Sequence, residues 1–386
     1  LVGLVCALCA GMFNALNSLQ DETWRVRIAK GRMNAIMYFS FAVFSLIAAA
    51  LNNTFGPRIM LCFAGATYAM FVGSKLSMHK SDVSPQDAAF AYASSVLLGI
   101  GSACLWAAQG QVVMTYPTDE KRGTYFAYFW IIFNLGAVVC SLIALAETFL
   151  FPSARFVQLS TTVYITFTCL PALASLLALG IGSPNAVVRE DESRLAVRKS
   201  SVWRELVAVL KHFGNPAMLI LVIPFASSQW FYQYQFNIFQ RYFEVKTQAL
   251  NNTLFWTTQM LASWIMGNLV LDDLKYGGRI RRAWIGFGVI VVSTIAMWGP
   301  GAVYQYYIDD FDESPGNLID FTKSSTDNWI YWGFGALMYM AFGTYDAIFQ
   351  AYNYWLMGAL SHDAAINSRS AGFYKCVQSL FAGLSW

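Results

Sequence analysis

Three polar side chains share one face of a predicted helix in an otherwise apolar stretch. Asp346, Gln350 and Asn353 follow one another at i, i+4 and i+7, and residues at this spacing form a continuous stripe along a helix. A carboxyl among amides can bind a polar solute, and burial would favour its protonated form, which makes Asp346 a candidate for proton coupling. The other interpretation is a structural carboxyl that pairs with tyrosines or lies near the mouth of a cavity.

Further polar residues interrupt apolar stretches elsewhere and complete the set of candidate cavity residues: Asn14, Asn17, Trp106, Gln109, Asn134, Gln229, Tyr232, Gln233 and Gln235. Polar groups inside a membrane are costly unless they are paired or face a cavity, so we expect these residues to point inward. Asn134 has two interpretations. It lies either at the cavity or, as we favour, at a contact between helices where Gly136 and Ala137 allow close approach.

The composition is that of a chain surrounded by lipid. It is 57% hydrophobic and only 12% charged, with a mean hydropathy of +0.46, whereas soluble domains carry about 25% charged residues. Charge-free runs such as 123–146 and 213–240 exceed the roughly 20 residues that a helix needs to cross the hydrocarbon. These features predict an all-α, polytopic integral membrane protein, without indicating which membrane. The net charge of +3 does not point to nucleic acid as a partner.

Eleven spans are expected, at 1–19, 35–51, 57–77, 89–115, 125–149, 157–181, 214–238, 250–271, 283–304, 329–358 and 371–386. A charged segment after the sixth span divides the chain into an N-terminal six-helix bundle (1–182), a cytoplasmic linker (183–213) and a C-terminal bundle (214–386). We expect the second bundle to lack its last helix. The composition of 19–34 has no physical explanation in this scheme.

The orientation follows from the basic residues. The larger share of the 25 Lys and Arg residues lies in five alternate loops: 52–58, 116–124, 182–213, 272–282 and 359–375. Loops rich in Lys and Arg stay on the cytoplasmic side, so the chain is predicted to start in the cytoplasm.

Two short turns recur at equivalent places in the two bundles. NNTFGPR (52–58) follows the second span and LDDLKYGGRIRR (271–282) follows the eighth, and both place glycine before an arginine at the next helix. The repeat supports two pseudo-symmetric halves, an architecture of transporters. Charged residues at these turns and the neighbouring loops are candidates for a cytoplasmic gate: Arg58, Asp119, Glu120, Asp272, Arg279 and Asp363.

Two gate contacts are predicted from these residues. We expect Arg58 to pair with Asp119 or Glu120, and Arg279 to pair with Asp363. Such pairs would hold the cytoplasmic side closed and would break when it opens. The alternative is that the arginines only anchor their loops in the cytoplasm.

Seven stretches carry a resemblance to a known family: GMFNALNSL (11–19), NNTFGPR (52–58), FAYFWIIFNLGAVVCSLIAL (126–145), QWFYQYQFN (229–237), ALNNTLFWTTQ (249–259), YDAIFQAYNYWLMGALS (345–361) and AGFYKCVQSLFAGLSW (371–386). In them the chain resembles the uncoordinated-ninety-three-like branch of the major facilitator superfamily, especially its fungal members. The resemblance implies two pseudo-symmetric six-helix bundles around a central cavity lined by spans 1, 4, 7 and 10. It implies either a solute-transporter-like protein or a regulator or trafficking chaperone of other membrane proteins.

Enzyme signatures are absent from the sequence. It contains no HExxH, GxSxG, GxxxxGK[ST] or GxGxxG motif, so we expect no enzyme and no cofactor or metal site. Cys6 and Cys9 form a CxxC inside a predicted span and are interpreted as packed or lipid-facing thiols. The expected function is secondary transport of an unidentified small solute by alternating access, with proton coupling as one interpretation. The alternative is a non-transporting regulatory subunit or trafficking chaperone whose partner is another membrane protein.

Overall fold

The computed structural model describes most of the chain: residues 1–18, 24–78, 84–150, 161–182, 186–189, 192, 201–309, 317–323 and 325–386. Regular structure in these ranges is helical, and β-structure is limited to isolated bridges such as that between Phe243 and Ile319. The all-α prediction is therefore confirmed. Residues 19–23 of the unexplained segment, and residues 183–185, 190–191 and 193–200 of the predicted linker, lie outside the described residues.

Six helices form the N-terminal half. They are α1 (residues 2–18), α2 (Trp24–Phe55), α3 (Pro57–Met78), α4 (Pro85–Thr115), α5 (Arg122–Leu150) and α6 (Thr161–Ala178). A π-helical turn at Ala7–Gly11 interrupts α1. Helices α2 and α3 pack on α4, α3 packs on α6, and α1 packs on α5.

A short helix, α7 (Val202–His212), precedes the C-terminal half. That half contains α8 (residues 216–242), α9 (residues 245–271), α10 (Arg279–Ile308), α11 (Thr326–Leu360) and α12 (Ala364–Ser385). Helix α8 is irregular and includes a π-helical turn at Tyr234–Ile238, and α9 ends in another at Ile265–Leu271. Helices α1–α6 and α8–α12 occupy the positions of the eleven predicted spans.

Capping residues set several helix starts. Ser84 and Asp87 form a capping box at α4, with Pro85 in the first turn. Asp363 accepts hydrogen bonds from the backbone N–H groups of Ala365 and Ile366 at 2.7 and 3.2 Å. Helix α12 therefore begins at residue 364, well before the predicted start at 371, and most of the expected loop at 359–375 is helical.

The turn between α2 and α3 is shorter than predicted. Helix α2 begins at Trp24 and continues to Phe55, so the Asn52 and Asn53 side chains belong to a helix and are buried. Gly56 alone separates α2 from α3, with a φ of +83° that favours glycine. The expectation of a loop at 52–58 is wrong in its extent, because the polar asparagines find partners inside the protein instead of water.

The two halves meet along two long helix pairs, α2 with α12 and α5 with α9, and α4 adds contacts with α11 and α12. At Gly372 of α12, an added Cβ would lie 2.7 Å from the carbonyl oxygen of Ser45 in α2. At Gly267 of α9, an added Cβ would overlap the carbonyl oxygen of Gly123 in α5. Small residues therefore let helices from opposite halves touch along their backbones, as is common in membranes.

Five helical segments in the described residues are long and apolar enough to cross a membrane: Gly31–Phe55, Pro57–Met78, Pro85–Thr115, Arg122–Leu150 and Arg279–Ile308. Helices α9, α11 and α12 carry buried polar groups, such as Gln259, Asp346 and Lys375, that lower their hydropathy. Large apolar side chains on the outer surface, for example Ile223 and Val292, are exposed in a way that suits lipid contact.

Replacing Gly136 of α5 with valine should destabilise the protein, because the new Cβ would overlap the carbonyl oxygen of Ala7 in α1. We expect a loss of about 1–3 kcal/mol, typical of overpacking. Gly288→Val is the matched control, since nothing lies within 4 Å of its added Cβ. The measurement is the apparent Tm of each purified variant in detergent. Equal Tm values for the two variants would contradict the packing of α1 on α5.

Candidate functional site

Asp346 lies in a buried hydrogen-bond network at the middle of α11. Its side chain has no exposed surface, and it lies about 21 Å along the helix from the end at Leu360. Tyr232 of α8 donates its hydroxyl to Oδ2 at 2.7 Å, and Gln350 donates from Nε2 to Oδ1 at 3.3 Å. The carboxyl is thus held by donors on two helices, which offsets part of the cost of removing it from water.

The network continues onto α12. Tyr374 donates its hydroxyl to Oε1 of Gln350 at 2.6 Å, and Gln378 donates from Nε2 to the Tyr374 oxygen at 3.1 Å. Lys375 donates from Nζ to Oε1 of Gln378 at 2.5 Å. Three neutral side chains therefore connect the buried carboxyl of Asp346 with a buried ammonium. The same Gln378 amide also donates to a hydroxyl on α8, at 2.7 Å.

Aromatic rings surround the Lys375 ammonium. Its Nζ lies 4.2 Å from the ring centre of Trp106, 4.8 Å from that of Tyr374 and 5.7 Å from that of Tyr354. Cation–π attraction of this kind strengthens when the cation is removed from water, and Lys375 is only 2% exposed. Because Trp106 belongs to α4, the ammonium on the C-terminal half contacts the N-terminal half directly.

Two predicted cavity residues near this centre have unused hydrogen-bonding capacity. Gln109 lies one turn from Trp106 on α4, is fully buried, and has no partner among the described residues for either side-chain amide atom. Nδ2 of Asn353 lies near the Tyr374 hydroxyl but does not reach good hydrogen-bond geometry with it. Buried polar atoms without partners are costly in a folded protein, so water or a bound molecule would supply the missing contact here.

Most of the remaining predicted cavity residues lie outside this network, and Gln229 joins it through the Tyr232 hydroxyl. Asn14, Asn17 and Gln233 are partly buried, and among the described contacts no hydrogen bond connects them to it. Gln229 is partly buried beside the Tyr232 hydroxyl. Gln235 is fully buried, and both atoms of its amide lack partners among the described residues.

Among the described residues Asn134 forms no hydrogen bond to another helix, contrary to the interpretation that we favoured. Its Nδ2 donates to the carbonyl oxygen of Trp130 in the preceding turn of α5 at 2.9 Å. This bond stays inside one helix, because an amide side chain can reach the carbonyl four residues earlier. Close approach between α5 and α1 comes from Gly136, which lies against the backbone of Ala7.

A cluster of charges joins the two halves at the predicted cytoplasmic face. Asp119, in the turn between α4 and α5, lies 2.8 Å from Arg122, 2.8 Å from Arg279 at the start of α10, and 3.1 Å from Nδ1 of His362. Partial burial opposes ionisation of Asp119, but the three basic side chains outweigh it, so the pKa of this carboxyl lies below its usual value. Asp119 is therefore ionised at neutral pH and available to hold the halves together.

The gate contacts differ from the predicted pairs. Arg279 contacts Asp119 instead of Asp363, whose carboxylate is occupied by backbone N–H groups at the start of α12. Arg58 donates from Nε to the carbonyl oxygen of Ile181 at 2.9 Å, which anchors it at the end of the N-terminal half. The predicted pairing of Arg58 with Asp119 or Glu120 is therefore wrong, and Glu120 is exposed.

Asp272 forms a second contact between the halves. It follows α9, and its Oδ2 accepts a hydrogen bond from the backbone N–H of Thr124 in α5 at 2.6 Å. Its Oδ1 accepts from Nε1 of Trp355 in α11 at 3.3 Å. Burial raises the pKa of Asp272, although these hydrogen bonds act in the opposite direction. Asp272 therefore joins the two halves through backbone and indole donors, and its role in a gate stays a prediction.

A third contact at the predicted cytoplasmic face involves α7, in the predicted linker. Glu205 is 3% exposed and forms a bidentate ion pair with Arg369 of α12, with N–O distances of 2.9–3.1 Å. It also accepts a hydrogen bond from Nδ2 of Asn53 in α2 at 2.8 Å. One carboxylate therefore connects the linker with both halves.

Lys375 is the main residue that the sequence analysis missed, because it was counted with the basic loop at 359–375 although the predicted span at 371–386 also contains it. Two signals could have found it. Asp363 is a strong helix N-cap, which would have placed Lys375 three turns inside α12. Tyr374 and Gln378 follow at i, i+4 on the same segment, a polar stripe that a cytoplasmic loop does not need.

Solved structures identify the fold. The proton:xylose symporter XylE of the major facilitator superfamily, solved with bound 6-bromo-6-deoxy-D-glucose, matches this chain with a TM-score of 0.61 and 13% sequence identity. The match covers 100% of this chain and 84% of that chain. The protein is therefore a polytopic membrane protein with the major facilitator fold.

Sequence comparisons identify the family. The family model described as ion channel regulatory protein UNC-93 matches residues 31–294. UNC93-like protein 1 of Arabidopsis thaliana is 36% identical over all of this chain and 82% of its own length. An UNC93-like protein of Schizosaccharomyces pombe is 36% identical over all of this chain and 75% of its own length. The chain belongs to the UNC-93 family, and the predicted resemblance is confirmed.

Replacing Glu205 with glutamine should destabilise the closed cytoplasmic side, because the half-buried Arg369 would lose its anionic partner. Removal of one member of a buried ion pair costs about 3–5 kcal/mol, and the partial exposure of Arg369 places the expected loss at the lower end. The matched control is Glu120→Gln, which removes an exposed carboxylate. The apparent Tm should fall clearly in the first variant and stay unchanged in the second. An unchanged Tm in both would show that the α7 contact contributes nothing to stability.

Proposed function

We propose that this protein is a secondary transporter that moves a small polar solute by alternating access, and that Asp346 carries a coupling proton. The observation that supports this most strongly is the buried network from Asp346 to Lys375. It lies between α4 of one half and α8, α11 and α12 of the other. Ionisable residues at the centre of a membrane protein are expensive and are by default candidates for a functional site.

The cytoplasmic contacts suit a gate that opens reversibly. The pair between Asp119 and Arg279 is partly exposed, and such pairs are worth only about 0–1 kcal/mol. Opening toward the cytoplasm would separate α5 from α9 and α2 from α12 at this end, and water would solvate the released charges. The glycine contacts, such as Gly123 with Gly267, can separate without leaving polar groups unpaired.

Only a few of the side chains that face Asp346 can change their charge near neutral pH. Ionisable groups face it from three helices besides its own: Tyr38 of α2, Tyr232 of α8, and Tyr374 and Lys375 of α12. Helices α9 and α10 face this part of α11 with Thr258 and Thr294, which do not titrate. Phenols stay neutral near pH 7, so Asp346 and Lys375 are the two groups that can gain or lose charge there.

A second candidate function is regulation of another membrane protein without transport, as the description of the family model suggests for its members. A regulator of this kind has no need to open its centre to both sides of the membrane. The two functions therefore differ in whether the cytoplasmic contacts break during the working cycle.

Opening can be measured without knowing the solute. Spin labels at Lys121→Cys and Leu274→Cys, in a background without other cysteines, would report the distance between the halves at the predicted cytoplasmic face. We expect a short and a long distance, with Asp119→Asn increasing the long population, because it removes the anion that Arg279 contacts. Asp273→Asn is the control, since its pair with Lys275 stays within one half. A single unchanged distance in all variants would favour the regulatory function.

The proton site can be tested with the same labels. We expect the long-distance population of the wild type to depend on pH, because protonation of Asp346 changes the charge between the halves. Asp346→Asn should reduce this dependence, since asparagine does not titrate, and should leave only the part that comes from other groups such as Lys375. Asp309→Asn at the exposed end of α10 should keep the full dependence. An identical pH profile in wild type and Asp346→Asn would exclude Asp346 from coupling.

A further inference from the structure

The Lys375 ammonium is a buried cation without an anion in contact. Among the described residues its only oxygen acceptor is Oε1 of Gln378, and no acidic oxygen lies within 4.0 Å of Nζ. Its other N–H groups face aromatic rings. A buried ammonium costs several kcal/mol unless an anion compensates it. Asp346 provides compensation only from a distance, through three intervening neutral side chains.

The side chains around the ammonium have the chemistry to bind an organic anion. The Trp106 ring lies on one side of Nζ, and the Tyr354 and Tyr374 rings contribute apolar surface around it. Gln109, on the same face of α4 as Trp106, has both a free donor and a free acceptor among the described residues. A single ammonium with an amide nearby suits a carboxylate, whereas dianions such as phosphate favour arginine forks or several cations.

From this geometry we infer that Lys375 binds the carboxylate of the transported solute, and that the solute is an organic monocarboxylate with a flat or apolar body. The inference deepens the proposed function and rests on it. One predicted contact, between Nζ of Lys375 and a carboxylate oxygen of the solute, defines the class of substrate. The aromatic rings around Nζ would pack against the carbon part of the solute.

The same contact explains how solute and proton would be coupled. Before binding, Asp346 is the only acid in the network that balances Lys375. A solute carboxylate takes over that role, and Asp346 then faces a second negative charge in a site with one cation. Asp346 therefore takes up a proton from water onto a carboxylate oxygen as the solute binds. One anion and one proton enter together, and the net charge of the site stays the same.

The test uses the full chain in lipid nanodiscs. The probes are straight-chain monocarboxylates from acetate to laurate together with benzoate and indole-3-acetate, and each is compared with its own primary amide. Two quantities are measured: the apparent Tm, and proton uptake in weakly buffered solution at pH 7 with an indicator dye. We expect at least one acid to raise the Tm while its amide does not, with about one proton taken up per molecule bound.

Variants then test whether the acid binds through Lys375. Lys375→Met should lose the Tm response to the acid, whereas Lys375→Arg, which keeps the charge, should retain at least part of it. Lys211→Met, on the exposed surface of α7, is the matched control and should respond as the wild type does. Asp346→Asn should still bind the acid but take up no proton. The comparison of acid with amide in the wild type needs no variant, so misfolding of Lys375→Met would not leave the inference untested.

Failure of the inference and failure of transport are distinguishable. If no acid in the panel raises the Tm more than its amide does, or if Lys375→Met responds normally, the inference is wrong, even if the spin labels show that the halves open. If an acid binds through Lys375 with proton uptake but the cytoplasmic distance never changes, the binding site stands and the transport proposal fails.

Discussion

The cost of holding ionised groups away from water governs this structure. Asp346 and Lys375 lie near the middle of a layer in which neither lipid nor solvent can compensate them, so every compensation must come from neighbouring helices. That requirement explains the sequence of amides and phenols between them, drawn from α8, α11 and α12. It also explains why Trp106 of the opposite half lies against the ammonium. The centre of the protein is therefore a point at which the two halves depend on each other.

The contacts between the halves change in chemistry with depth. At the centre Lys375 of one half makes a cation–π contact with Trp106 of the other. Between the closely packed helices the contacts are glycine backbones such as Gly267 on Gly123. At the predicted cytoplasmic face they are ion pairs around Asp119 and Glu205. Ionic contacts at a wetted end can break and be solvated, whereas buried ones cannot. This arrangement suits the proposed transport cycle, in which the halves would move about the centre and the charged end would open and close.

The fold and part of the buried network around Asp346 could be predicted from the sequence. Charge-free runs located the helices, and the spacing of Asp346, Gln350 and Asn353 placed a polar stripe on α11, because burial in lipid makes polar residues conspicuous. The ends of helices were harder, since a loop and a first helical turn have the same polar composition. Because of that ambiguity, Lys375 was counted with a loop. The predicted partners of Arg58 and Arg279 were wrong for the same reason. Contacts between distant loops depend on how the halves meet, which local patterns do not contain.

The opposite charges of Asp346 and Lys375 have an electrical consequence. Both reside on the C-terminal half, so they would move together relative to the membrane whenever that half tilts. With the carboxylate ionised and the ammonium protonated, their displacements through the membrane field cancel. A lone charge crossing the field would add about 2.3 kcal/mol for each 100 mV. If the protein cycles as proposed, its unloaded form would therefore reorient at nearly the same rate in polarised and depolarised membranes.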